Sequence, residues 1–111
     1  MKLEEWNKDM PKLSKEELLK LFEDEYIDSG YLYSGCIPAN TTIFRKYEEH
    51  YELAHSLVEE GKLQIRACEG YAFELSKQRR KELIREYNLV EKWREFYYCN
   101  PEWEIESVMR V

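Results

Sequence analysis

Residues 57–75 decide the fold, and they read Leu57-Val-Glu-Glu-Gly-Lys-Leu-Gln-Ile-Arg-Ala-Cys-Glu-Gly-Tyr-Ala-Phe-Glu-Leu75. Before the first glycine, the apolar residues recur at helical spacing. After it, apolar and polar residues alternate over residues 62–67 and again over residues 71–75, which is typical of half-buried strands. Two such runs, joined by a link that contains a glycine, predict a β-hairpin.

The residues before this stretch predict a long helix over residues 41–60, capped by Asn40 or Thr41 and closed by Gly61. One side of it carries an apolar stripe, formed by Ile43, Tyr47, Tyr51, Ala54 and Val58. The other side is an acidic face that includes Lys46, Glu48, Glu49, Glu52, Glu59 and Glu60. The helix should therefore bury one side and solvate the other.

Further toward the N-terminus, Ser14 and Glu17 have the spacing of a capping box, which predicts a helix over residues 14–28 that stops at Ser29-Gly30. Residues 1–13 show no clear period and are interpreted as an arm that Trp6 docks onto the body. Residues 31–40 predict a short aromatic strand followed by a loop.

After the hairpin, Ser76 is expected to cap a third helix, which bends or ends near residues 87–89 and has stopped by Asn100-Pro101. In the tail, Trp103, Ile105 and Met109 share one face of an alternating pattern, and this predicts a last strand. The fold class is therefore α+β: three helices, a β-hairpin and a C-terminal strand in one domain over residues 14–111.

The passage from helix to hairpin over residues 57–63 resembles the helix-to-wing junction of winged-helix domains. The resemblance covers residues 14–75, and it implies a further short helix before the long one. Only the six residues 35–40 lie between the predicted strand and the long helix, so the sequence gives that short helix little room.

Composition excludes several classes of protein. The chain has 111 residues, and its nine tyrosines, four phenylalanines and three tryptophans are too many for a disordered protein. No apolar run approaches the roughly 20 residues of a membrane span, and the charged N-terminus cannot serve as a signal peptide. The sequence predicts a cytosolic protein whose thiols, Cys36, Cys68 and Cys99, are reduced and lie in the core.

Charge is unevenly distributed along the chain. The formal net charge is −6, but residues 1–60 carry −7, residues 61–85 carry +4 and residues 86–111 carry −3. Any contact with nucleic acid is thereby confined to the basic segment, where the candidate residues are Lys62, Arg66, Lys77, Arg79, Arg80 and Lys81. The same residues also suit a solvated helix face that pairs with neighbouring acids.

The chain lacks a catalytic signature. His50 and His55 are five residues apart, whereas a metal pair on one helix needs a spacing of four. Glu52 and His55 match half of a bundle metal site, but no second copy is present. A Cys–His pair between His55 and Cys36 or Cys99 has no local motif to support it. We expect a protein that is not an enzyme and has no cofactor.

The aromatic surplus and the acidic face favour a function in protein–protein contact, as an inhibitor, adaptor or regulatory subunit. The candidate contact residues are Glu48, Glu49, Glu52, Tyr97, Tyr98 and Trp103, and they suit a partner with a basic surface. Tyrosine hydroxyls at the rim of the core would also explain the surplus. Homodimerisation through the last strand is a further expectation, and the alternative function is a winged-helix-like regulator that binds nucleic acid.

Overall fold

A computed structural model of the chain describes residues 11–33, 36–68, 70–96 and 102–110. The elements follow in the order α1 (Lys15–Tyr33), β1 (Ile37–Pro38), α2 (Thr42–Lys46), α3 (Glu48–Glu59), β2 (Leu63–Cys68), β3 (Gly70–Leu75), α4 (Lys77–Glu86), α5 (Leu89–Phe96) and α6 (Glu102–Met109). The strands form an antiparallel sheet in the order β1-β3-β2. The predicted α+β class is confirmed.

Helix α1 begins with the predicted capping box. The Ser14 amide donates to Glu17 Oε1 at 3.0 Å, and the Glu17 amide donates to Ser14 Oγ at 3.2 Å. These bonds hold the pKa of Glu17 below its ordinary value of 4.5. The predicted stop after residue 28 is wrong, because the helix continues to Tyr33. A glycine inside a helix costs only about 1 kcal/mol relative to alanine, which neighbouring contacts can offset.

The predicted long helix is two helices, broken at Tyr47, whose backbone is extended (φ −130, ψ 110). Across the break, His50 Nδ1 of α3 donates to the Ile43 carbonyl of α2 at 2.8 Å. Helix α2 thus supplies the short helix that the sequence had little room for. The observed order, helix, strand, two helices and hairpin, is consistent with the winged-helix resemblance.

The core lies between α1, α3 and the sheet. Leu18 and Phe22 of α1, Leu57 of α3, and Phe73 and Leu75 of β3 are buried in it. Beyond them, Trp93 of α5 meets Tyr26 edge to face, with ring centroids 5.4 Å apart, and donates from Nε1 to the Ile27 carbonyl at 3.0 Å. Helix α5 is therefore attached to α1 by an aromatic contact and a hydrogen bond.

Three connections fix the hairpin and the helices around it. Gly61 adopts a positive φ of 77°, which lets the Lys62 amide donate to the Leu57 carbonyl and closes α3 as predicted. Ser76 Oγ accepts from the Arg79 amide and caps α4, also as predicted. Asn88, with φ 48°, makes the turn between α4 and α5, so the expected interruption near residues 87–89 is present.

The predicted last strand is wrong, because residues 102–109 form helix α6. Val108 is buried in the common core and Ile105 packs against it, a spacing of three residues that belongs to a helix. The alternation of Trp103, Ile105 and Met109 thus occurs within a helix and does not mark a strand. This segment cannot dimerise as an edge strand. The region that was expected to hold a first strand is also shifted: residues 31–33 are helical, and β1 is only Ile37–Pro38.

Candidate protein-interaction surface

Three acidic residues of α3 form one exposed stripe. Glu48, Glu52 and Glu59 fall within about 40° of one another around the helix axis, since each residue turns it by about 100°. All three are exposed, and none has an ion pair or hydrogen bond to another described residue. We call them the acidic stripe. Their charges are available to a partner because the described part of the fold does not use them.

The other acids of the predicted face are used inside the molecule. Glu49 lies on a different side of α3, and its Oε1 is 3.5 Å from Lys12 Nζ; hydrogen bonding to its own backbone amide, with help from Lys12, lowers its pKa. Glu60 pairs with Lys15, and this hydrogen bond lowers the pKa of Glu60 and raises the pKa of Lys15. Glu48 and Glu52 are therefore brought together, and Glu49 is separate from them.

An aromatic patch borders the acidic stripe. The rings of Tyr51 and His55, one turn apart on α3, lie 4.7 Å from each other. Tyr71 of β3 is 6.0 Å from Tyr51 and 6.5 Å from His55, again between ring centroids. All three side chains are half-buried, resting on the buried Phe73. We call Tyr51, His55 and Tyr71 the aromatic patch; helical geometry places His55 about 20° from Glu48 and about 40° from Glu59.

The sequence had assigned Tyr51 to the buried stripe of the helix, and its partial exposure was missed. The signal that could have found it is the alternation of the hairpin, which puts Tyr71 and Phe73 on the side that α3 covers. The predicted contact residues Tyr97 and Tyr98 lie outside the described residues. Trp103 is on α6 rather than on a strand.

Several residues of the basic segment form ion pairs within the fold. Arg79 is the clearest case: its Nε lies 2.7 Å from Glu23, and its Nη1 lies 3.4 Å from Glu82 and 3.8 Å from Glu86. The hydrogen bond that Arg79 Nε donates to Glu23 raises the pKa of Arg79, so this residue stays charged and bound within the fold. Arg80 is half-buried on the same helix.

The basic residues of the hairpin region also lie close to acidic residues. Lys62 Nζ is 3.6 Å from Glu60, and Arg66 Nη1 is 3.7 Å from Glu74. On α4, Lys77 is exposed and Lys81 is half-buried, and neither has an ion pair with another described residue. Lys77 and Lys81 are therefore predicted nucleic-acid contacts without an acidic partner among the described residues.

The two histidines have different environments. His50 is fully buried; Nδ1 donates to Ile43, and Nε2 accepts the Leu13 amide at 2.8 Å. Nε2 thus holds the chain before α1 against α3, and Nδ1 holds α2 against α3, so His50 cannot ligate a metal without breaking these bonds. His55 belongs to the aromatic patch. Among the described residues there is no cluster of three metal-ligating side chains.

Comparisons with known proteins add no further constraint. No protein-family model matches the chain, and no curated protein or solved structure is significantly similar to it. In the described part of the chain, no helix combines the length and the apolar character needed to cross a bilayer. The candidate surface is therefore supported by the contacts, exposures and charges described above.

Proposed function

We propose that this protein is a non-enzymatic binding module that recognises a basic protein partner through the acidic stripe and the aromatic patch. It would act as an inhibitor, adaptor or regulatory subunit in the cytosol. The observation that carries the proposal is the position of three glutamates, unpaired among the described residues, beside three half-buried rings on one side of the molecule.

The chemistry of the two parts is complementary. Aromatic side chains, especially tyrosines, contribute large contact areas at a low entropic cost and are common anchors of protein interfaces. Charges around such anchors mainly steer association and select the partner. A partner that presents lysine or arginine around an apolar or aromatic protrusion would fit both parts at once.

The proposal is tested with a charge-matched pair of variants. The stripe variant is Glu48→Lys/Glu52→Lys/Glu59→Lys. The control is Glu16→Lys/Glu91→Lys/Glu106→Lys, which changes exposed glutamates elsewhere. Each variant takes the formal net charge from −6 to zero, so a difference between them reports on the position of the charges rather than on their number.

Wild type, stripe variant and control are immobilised and exposed to extract of the native host. We expect a stoichiometric protein that wild type and control retain and the stripe variant loses. With that protein purified, the affinity should fall at least about tenfold in the stripe variant and should weaken as salt is raised. Equal retention by all three baits, or retention of nucleic acid alone, would contradict the proposal.

A second candidate function, nucleic-acid binding, is favoured by the element order, which is consistent with a winged-helix domain. In that arrangement α3 would face the groove, and its acidic stripe would be repelled by phosphate. Contact would then have to come from Lys77 and Lys81. A salt-sensitive mobility shift of duplex DNA that is lost in Lys77→Ala/Lys81→Ala would establish this function, and these substitutions leave the Arg79 ion pairs intact.

A further inference from the structure

The outer edge of strand β2 is open. In the sheet order β1-β3-β2 this strand has one neighbour, and its six residues contain neither proline nor a bulge. Natural edge strands are commonly protected by such features or by a covering element. Within the described residues, no backbone hydrogen bond is made to the outer side of β2.

The hydrogen-bond pattern shows which residues face outward. The Ser76 amide donates to the Lys62 carbonyl, so Lys62 and Ser76 form a hydrogen-bonded pair. Because such pairs alternate in an antiparallel ladder, Gln64 and Arg66 bond to β3. The N–H and C=O groups of Leu63, Ile65 and Ala67 therefore point away from β3. On the other side of β3, the Ala39 amide donates to the Tyr71 carbonyl, so Tyr71 bonds toward β1 and away from β2, as this alternation requires.

The middle of this edge is apolar. Ile65 is opposite the buried Phe73, yet 47% of its surface is exposed. Only Ile65 and Tyr87 are large apolar side chains with this much exposure among the described residues. An exposed isoleucine at the centre of an open edge is suited to pairing with another strand.

We propose that β2 pairs with β2 of a second copy, antiparallel and with the two-fold axis at Ile65, so that the two sheets become one. In this register Leu63 bonds to Ala67 of the second copy, and Ile65 bonds to Ile65 of the second copy. The two isoleucines then cover each other on one face of the sheet. This inference goes beyond the proposed function and is independent of it.

On the opposite face of the joined sheet, this register also brings complementary side chains of the two copies together. Arg66 of the second copy falls opposite Gln64, in the same cross-strand row as Glu74. Glu74 is only 5% exposed; its Oε1 accepts from Gln64 at 2.7 Å, and its Oε2 lies 3.7 Å from Arg66 Nη1 of the same chain but accepts no hydrogen bond within the described residues. Strands are spaced by about 4.8 Å, so the second Arg66 has its Cα about 10 Å from that of Glu74. The combined length of the two side chains spans that distance, and the register opposes no like charges.

The edge is short, and the two copies each carry a net charge of −6. The area buried is expected to be below the roughly 1,600 Å² of a standard interface, and we therefore expect a weak dimer, with a dissociation constant on the order of 100 μM. Salt should strengthen this dimer by screening the repulsion between copies. The opposite salt dependence is expected for the basic partner, so the two associations are distinguishable.

The test is sedimentation equilibrium of the full chain from about 10 to about 500 μM, a range that brackets the expected constant. Ile65→Lys, which places like charges opposite each other across the axis, should weaken self-association at least about tenfold. Tyr87→Lys, a similar change at a residue that is 54% exposed, is the matched control and should have no effect. The stripe variant should still self-associate.

Hydrogen exchange of the wild type needs no variant. Protection of the amides of Leu63, Ile65 and Ala67 should rise with protein concentration, whereas Gln64 and Arg66 are protected throughout. A chain that stays monomeric over the whole range would overturn the proposal. So would a dimer that Ile65→Lys leaves unchanged, or protection of these amides that appears only when another protein is added.

Discussion

Helices α3 and α4 carry net charges of opposite sign, and they differ in whether those charges face solvent or the rest of the fold. Helix α3 has three glutamates that point to solvent and bond to nothing in the described fold. Helix α4 turns Arg79 inward, where it meets Glu23, Glu82 and Glu86. The helix that looks most suited to a phosphate backbone therefore uses Arg79 within the fold, and the helix that repels phosphate has its charge available.

This difference shows that a count of charges along a sequence does not reveal which of them are available for binding. Exposed ion pairs contribute little to stability, and exposed unpaired charges contribute less, so such residues are free to serve recognition. Charges that are partly buried and hydrogen-bonded are constrained by folding. Substitutions can separate the two kinds.

The largest effect is expected on the inner side of α3, at His50. The substitution His50→Ala removes a buried ring and leaves the Leu13 amide and the Ile43 carbonyl without their partner. Together these losses should cost about 3 kcal/mol or more in the free energy of unfolding. Urea denaturation measures it, with His55→Ala as the control, for which we expect about 1 kcal/mol or less because that ring is half-exposed. Equal losses for the two variants would show that the bonds of His50 are unimportant.

A smaller effect is expected at Arg79 on α4. In Arg79→Ala, the Glu23 carboxylate loses its 2.7 Å partner while its side chain remains 19% exposed. Leaving a largely buried acceptor unsatisfied should cost about 1–2 kcal/mol. Lys77→Ala on the same helix should cost about 0.5 kcal/mol or less, because its side chain is exposed. If the two alanine variants were equally stable by urea denaturation, the distinction between the inward and outward charges of α4 would fail.

Glu60 tests the same distinction at the end of α3, where one acid is paired with Lys15. Its pKa is held below 4.5 in the folded protein, so the stability it contributes is present above that pH and is lost as pH falls through the lowered folded value. Glu60→Gln should remove this part of the acid dependence, and Glu59→Gln, one residue earlier, should not. Denaturation at several pH values between about 7 and about 3 measures the slopes, and the same slope in wild type and Glu60→Gln would contradict the assignment.

The elements whose signals are local were predictable from the sequence. The capping box at Ser14, the hairpin around Gly70 and the cap at Ser76 depend on residues within a few positions of one another, and the structure has them where the pattern indicated. The break at Tyr47 was not predictable, because the contact that spans it, from the His50 ring to the Ile43 carbonyl, forms only once the two helices are packed together.

The error at the C-terminus has a different cause. The apolar residues over 103–109 fit both the period of two of a strand and the period of three to four of a helix. Packing against the core selects the helix, and that packing cannot be read from the sequence. The candidate site divides in the same way. The acidic side of α3 is a local pattern and was found, whereas the aromatic patch needs Tyr71, 20 residues after Tyr51, to meet it across the fold.

The smallest effect is expected for the stripe variant itself, and it decides whether the binding experiment can be interpreted. Glu48, Glu52 and Glu59 have no partner in the described fold, so replacing all three by lysine should change the free energy of unfolding by about 1 kcal/mol or less. The main cost comes from Glu48, where a positive charge at the start of α3 opposes the helix dipole by a few tenths of a kcal/mol. Thermal and urea unfolding of the stripe variant should therefore stay close to that of the wild type. A loss of several kcal/mol would mean that the stripe is structural, and the contrast with Arg79 would then disappear; unchanged stability with lost partner binding would show that α3 carries these charges for recognition.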